Sequence, residues 1–171
     1  MARRDLFLAL SIFGVVFIIQ EAFINQVHLP FTGFNLGLIS ALTWAALSSP
    51  ESAAVTGFVS GIYLDLSPAT DGPFGLWTFI MVIAAYSVAY FGASAETVKA
   101  NPVGLIGLIS ISVVLTELLY LLIGVLFGLA FGSFLQMVRT LIGIGLWSAI
   151  VVPIITPVIT RMRSILYTSS L

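Results

Sequence analysis

The chain has 171 residues, 60% of them hydrophobic and 8% charged, with a net charge of −1 at pH 7 and no cysteine. Soluble domains carry roughly 25% charged residues, so a mean hydropathy of +1.17 reads as an integral membrane protein, a single membrane domain over residues 1–171. Six basic and seven acidic residues leave no nucleic-acid footprint, and the lack of cysteine excludes disulfides, thiolate metal sites and cysteine catalysis.

A bilayer core takes about 20 apolar residues per helix. The first predicted helix covers about 6–25. Arg3 and Arg4 precede it, and it continues into Gln20 and Glu21 without a small-residue cleavage site, which favours a retained helix over a signal peptide. The next apolar run, Phe34 to Leu66, is too long for one comfortable span and short for two. Ser48-Ser49-Pro50-Glu51 in its middle is turn chemistry, and proline disfavours continuing the helix, so the run divides into helices at about 34–48 and 52–66. The loop from Ser67 to Pro73 ends the second of these. Three more helices are predicted at about 74–91, 102–131 and 136–160, with Pro153 and Pro157 expected to kink the last turns of the final one.

Basic residues favour the cytoplasmic side of short loops. Six spans with the N-terminus inside put Arg3, Arg4, Lys99, Arg161 and Arg163 inside and only Arg139 outside. Five spans would move Lys99 and the two C-terminal arginines out. The expectation is an all-α, polytopic six-transmembrane-helix bundle with both termini cytoplasmic.

That topology places Glu21 and Asp65 near the outer ends of helices one and three, and Arg139 at the outer start of helix six. Glu117 lies roughly 22 Å into helix five at about 1.5 Å per residue, beyond the midplane. Glu21, Asp65, Glu117 and Arg139 thus form a candidate polar cluster in the outer half of the bundle, where intramembrane charge requires a partner. Gly14, Glu21 and Asn25 share one face of helix one, and Ser110, Glu117 and Gly124 share one face of helix five. Gly124, Gly128 and Gly132 read as a continuing glycine ladder. Three readings of the cluster stand: mutual satisfaction inside the bundle, a small pocket open to the outside, and contact with a partner's helix.

Catalytic chemistry is not argued for. His28 is the only histidine and sits in a loop, with no second ligand for a metal and no nucleophile to serve. No phosphate-binding glycine loop is present, no cofactor is expected, and Trp44, Trp77 and Trp147 read as core or interfacial anchors.

The most informative stretch is 57–75, GFVSGIYLDLSPATDGPFG. Gly57 and Gly61 are four apart, which lets another helix approach closely, and Asp65 ends the apolar run with a charge. This pattern, Gly57-x3-Gly61-x3-Asp65 followed by a Pro-containing loop and Gly75-Leu76, resembles the conserved core of the bacterial rod shape-determining MreD family. Chain length, hydrophobic spans and short loops are similar throughout, while Asp71 adds a second acid to the loop. The resemblance implies a fold similar to the substrate-binding subunits of energy-coupling-factor transporters. It also implies a non-enzymatic scaffold of the cell-elongation machinery in the bacterial cytoplasmic membrane. The implied partner is MreC, a single-pass protein, and indirectly MreB, RodA and its class B penicillin-binding transpeptidase, in lateral peptidoglycan synthesis. Gly57, Gly61, Asp65 and Gly75 are the candidates for the partner-binding helix, and Gly61→Leu is expected to weaken partner binding while leaving the bundle inserted. The competing reading is a small-molecule-binding subunit of an energy-coupling-factor type transporter, with an outward pocket near Glu21, Asp65, Glu117 and Arg139. Against it, such subunits dock through an alanine-rich first helix, and helix one here has only Ala9 and Ala22.

Overall fold

The computed structural model describes residues 2–26, 33–68, 70, 72–94 and 101–168; His28, Asp71 and Lys99 lie outside them. Among the described residues the chain is all-helical, with six α-helices and no strand. These are α1 (Ala2–Ala22, followed by a 3₁₀ turn at Ile24–Gln26), α2 (Leu36–Ala46), α3 (Pro50–Asp65), α4 (Leu76–Ser94), α5 (Pro102–Leu126) and α6 (Phe134–Thr168). Helix starts follow from local chemistry. Asn35 accepts a hydrogen bond from Leu38 N at the head of α2. Ser49 and Asn101 do the same for Ser52 N and Val103 N, each followed by a proline whose missing N–H costs nothing at the first helical position.

Two predicted boundaries are corrected. Helix five stops at Leu126 rather than at 131. Gly128, at φ +79°, lets Leu129 N reach Gly124 O (2.9 Å) and Gly128 N reach Val125 O (3.0 Å), the paired bonds of a Schellman stop. Gly132 also has positive φ, so Gly128 and Gly132 are loop residues and the glycine ladder does not extend past Gly124. Helix six starts at Phe134 behind a reciprocal cap: Gln136 N donates to Ser133 Oγ (3.3 Å) and Ser133 N donates to Gln136 Oε1 (2.7 Å). It runs to Thr168 with Pro153 and Pro157 inside it, eight residues beyond the predicted end.

Helix α2 forms the centre. Every residue from Leu38 to Ala46 is buried, and α1, α3, α4, α5 and α6 all pack on it. A helix apolar all round needs such enclosure. At 11 residues it extends about 16 Å, well under the roughly 30 Å of a bilayer core, and it turns back into α3 at Ser48-Ser49. Several buried hydroxyls inside this apolar core bond back along their own helices: Thr43 Oγ1 donates to Ile39 O (2.7 Å), Ser60 Oγ to Thr56 O (2.8 Å) and Thr116 Oγ1 to Ser112 O (2.7 Å), whereas the hydroxyls of Ser110 and Ser148 have no partner among the described residues.

Helices α3 and α4 are the most intimately packed pair. A Cβ at Gly57 would overlap the Met81 carbonyl, and one at Gly61 would overlap the Thr78 backbone. Helices α5 and α6 are long and apolar enough to cross a membrane, with α1, α2 and α4 contributing shorter apolar stretches.

Candidate functional site

At the end of the bundle where α1 stops and α4 begins, polar residues converge from five helices around a cavity of about 230 Å³. Helix α1 contributes Gln20 and Glu21, with Asn25 from the turn behind it. The head of α2 brings Asn35, the segment after α3 brings Ser67 and Thr70, α4 brings Trp77, and α5 brings Glu117 and Tyr120.

A continuous network fixes the first wall. Gln20 is 7% exposed although it is polar, because both ends of its amide are used. Its Oε1 accepts from Leu36 N (2.7 Å), an unpaired donor in the first turn of α2, and its Nε2 donates to Asn25 Oδ1 (2.7 Å). Asn25 Nδ2 donates to Glu21 Oε2 (2.9 Å), and Glu21 Oε1 accepts from Ser67 Oγ (2.6 Å), a short charge-assisted bond that ties α1 to the loop after α3. The opposite wall is aromatic. Trp77 stacks on Tyr120 with ring centroids 4.2 Å apart and planes 13° off parallel, and Phe131 closes edge-on against Tyr120 at 5.7 Å.

Glu117 is half-buried and lines the cavity. Its carboxyl has no hydrogen bond or ion pair among the described residues. Among the described residues no basic side chain lines the cavity.

The structure therefore brings together two of the four clustered charges expected from sequence, Glu21 and Glu117. Asp65 is engaged elsewhere: its Oδ1 accepts Trp77 N (2.9 Å), and its Oδ2 accepts Thr78 N (3.0 Å) and Thr78 Oγ1 (2.6 Å). It caps α4 from the end of α3 in place of a local N-cap. Arg139 is exposed and absent from the cavity wall. Gly57 and Gly61 are occupied by the chain's own α4, so this glycine face is filled from within the molecule. Gly75, at φ +97° with open space around it, serves the turn into α4. Gly14 admits Tyr63, whose hydroxyl donates to Leu10 O (3.0 Å), and Gly124 faces Phe131.

Two functional groups were not singled out in the sequence. Gln20 is the pivot of the network; its signal was a polar side chain preceding Glu21 in an apolar run. Arg163 was counted only as a cytoplasmic charge. It donates to Trp44 O (3.2 Å) and Ser48 Oγ (3.0 Å), and its guanidinium sits 5.6 Å from the Trp44 ring. It thus adds a cation to the carbonyl end of α2, where Trp44 O already accepts from Leu47 N and Ser48 Oγ, and complements the helix dipole there.

A second concavity is apolar. A groove of about 430 Å³ runs between α1 and α6 over α2, lined by Ser11, Val15, Ile19, Ser40, Trp44 and Val158 among others. Among the described residues no cluster of three His, Cys, Asp or Glu could hold a metal ion. No family model, curated protein or solved structure matches the chain.

Proposed function

We propose that this chain is a multi-pass scaffold of the MreD type in a bacterial cytoplasmic membrane. On this reading it has no catalytic role and seats the single transmembrane helix of an MreC-like protein. The observation that carries the reading is the groove between α1 and α6, apolar along its length, with small side chains at Ser11 and Ser40 where a second helix would approach closely. Large apolar residues stand exposed around the helices, Phe79, Ile111, Leu122 and Ile154 among them, as a lipid-facing surface requires. The polar network gathers at one end, and Arg163 lies toward the other. MreB, RodA and its transpeptidase would be reached through the partner.

In this topology α1, α4, α5 and α6 cross the bilayer, and α2 and α3 form a hairpin through the centre. Both ends of that hairpin lie on the same side whether or not its tip reaches the far surface. The placement of both termini in the cytoplasm does not depend on that depth.

The test is site-specific photocrosslinking in the native host with a crosslinker at Val15 or Val158, and at Leu122 on α5 as a control. The expected result is a covalent adduct with one MreC-like single-pass protein from the two groove positions and none from Leu122. Adducts with that protein only from Leu122, or with none from any position, would overturn the groove assignment.

A further inference from the structure

We propose that the polar cavity binds a small organic ammonium ion. The charge balance of its wall points to a cation. Glu117 is a half-buried acid on the cavity wall with no donor among the described residues, and Glu21 accepts only the neutral groups of Asn25 and Ser67. A buried carboxylate needs a counter-charge or hydrogen-bond donors to be tolerated, and none of the described lining residues supplies a positive one. An anion would meet two acids and no base among the described residues. With Arg139 outside the cavity wall, a zwitterion's carboxylate finds no basic side chain there to pair with.

The remaining groups favour an organic ammonium over a bare metal ion. Trp77 and Tyr120, stacked on one another, line the cavity as apolar aromatic surface against which an alkyl group packs. Leu64, Phe34 and Ile144 add apolar surface for a short carbon chain. The amide oxygens of Gln20, Asn25 and Asn35 each accept one hydrogen bond already and keep a second lone pair for an N–H donor. Size limits the ligand: about 230 Å³ lies below the roughly 300–1,000 Å³ of drug-binding pockets, so the occupant is a compact monoamine. This inference is independent of the scaffold reading, since the cavity lies among different residues from the α1–α6 groove.

The test uses the full chain in phosphatidylglycerol nanodiscs, titrated with n-butylamine and ethanolamine and, as neutral and inorganic controls, n-butanol and calcium chloride. Thermal unfolding is the readout. Saturable stabilisation by the amines and not by n-butanol is expected, weakened about tenfold or more by Glu117→Gln, which removes charge at nearly constant shape. Glu21→Gln, which keeps an acceptor for Ser67, is expected to weaken it as well and serves should Glu117→Gln not fold. Loss of the free-amine effect in phosphatidylethanolamine nanodiscs would support the site and identify the lipid headgroup as the ammonium source. No saturable amine effect, an undiminished effect in both variants, or stabilisation by calcium alone would each overturn the proposal.

Discussion

Asp65 Oδ2 accepts two hydrogen bonds from one residue, Thr78, through its backbone N–H at 3.0 Å and its hydroxyl at 2.6 Å. Asp65 is the last residue of α3 and Thr78 lies in the first turn of α4, so the chain caps one helix with the end of the helix before it. The same two helices touch at Gly61, whose missing side chain leaves room for the Thr78 backbone. Glycine and aspartate four residues apart thus act on a single target.

Replacing Asp65 by Ala removes all three acceptor contacts to the start of α4 and is expected to cost about 2 kcal/mol, in the range of lost helix caps and buried hydrogen bonds. Asn retains one acceptor oxygen and should lose less. Reversible unfolding in detergent orders the variants; equal losses for Ala and Asn would show that the charge, acting on the helix dipole, outweighs the hydrogen-bond geometry.

Gly61→Leu is expected to disturb the bundle itself, contrary to the expectation from sequence that it would spare insertion and affect only a partner. Even Gly61→Ala places a methyl against backbone and should destabilise by about 1–3 kcal/mol. Gly107→Ala is the matched control: nothing lies within 4 Å of the position its methyl would take, and the change should stabilise α5 by about 0.5–1 kcal/mol. Thermal unfolding of the two alanine variants should shift in opposite directions.

Arg163→Ala should lower stability by about 1–2 kcal/mol through the lost bonds to Trp44 O and Ser48 Oγ and the lost ring contact. Lys is expected to restore only part, because it lacks the planar fork. Intrinsic tryptophan fluorescence, followed through unfolding, checks both the midpoint and the Trp44 environment.

Glu21 and Ser67 are expected to be coupled. A double-mutant cycle with Glu21→Ala and Ser67→Ala, each of which removes the bond, should return about 1 kcal/mol of interaction energy. A value near zero would mean that the bond at 2.6 Å does not hold the loop to α1.

Hydropathy and turn chemistry located all six helices, because Ser49-Pro50 and Asn101-Pro102 announce helix starts in the side chains themselves. The end of α5 was missed for a physical reason. The residues from Phe127 to Phe131 are as apolar as the helix, so hydropathy shows no break; the stop is conformational, carried by Gly128 and the apolar Leu129 after it. Spacing alone read Gly128 as a packing glycine. The Ser133-x-x-Gln136 capping box, which fixes the start of α6 at Phe134, was passed over for hydropathy, which placed that start at about 136. For the site, depth along the helices put Glu21 and Glu117 at the same end, and both line the one cavity. Depth carries no information on rotation between helices, and so could not tell that Asp65 faces α4 and Arg139 faces away.

The enclosure of α2 has a consequence for biogenesis. Its walls come from both ends of the described chain, α1 and α6, and Arg163 adds a cation at the carbonyl end of α2 from more than a hundred residues downstream. During synthesis α1 emerges first, and α2 and α3 leave the ribosome before the walls supplied by α4, α5 and α6 exist. An 11-residue helix followed by a polar Ser48-Ser49 turn must then be sheltered by the insertion machinery or by lipid until α6 arrives. Maturation is therefore expected to be late and all at once, with nascent chains stalled before α6 remaining protease-sensitive at the Ser48-Ser49 turn.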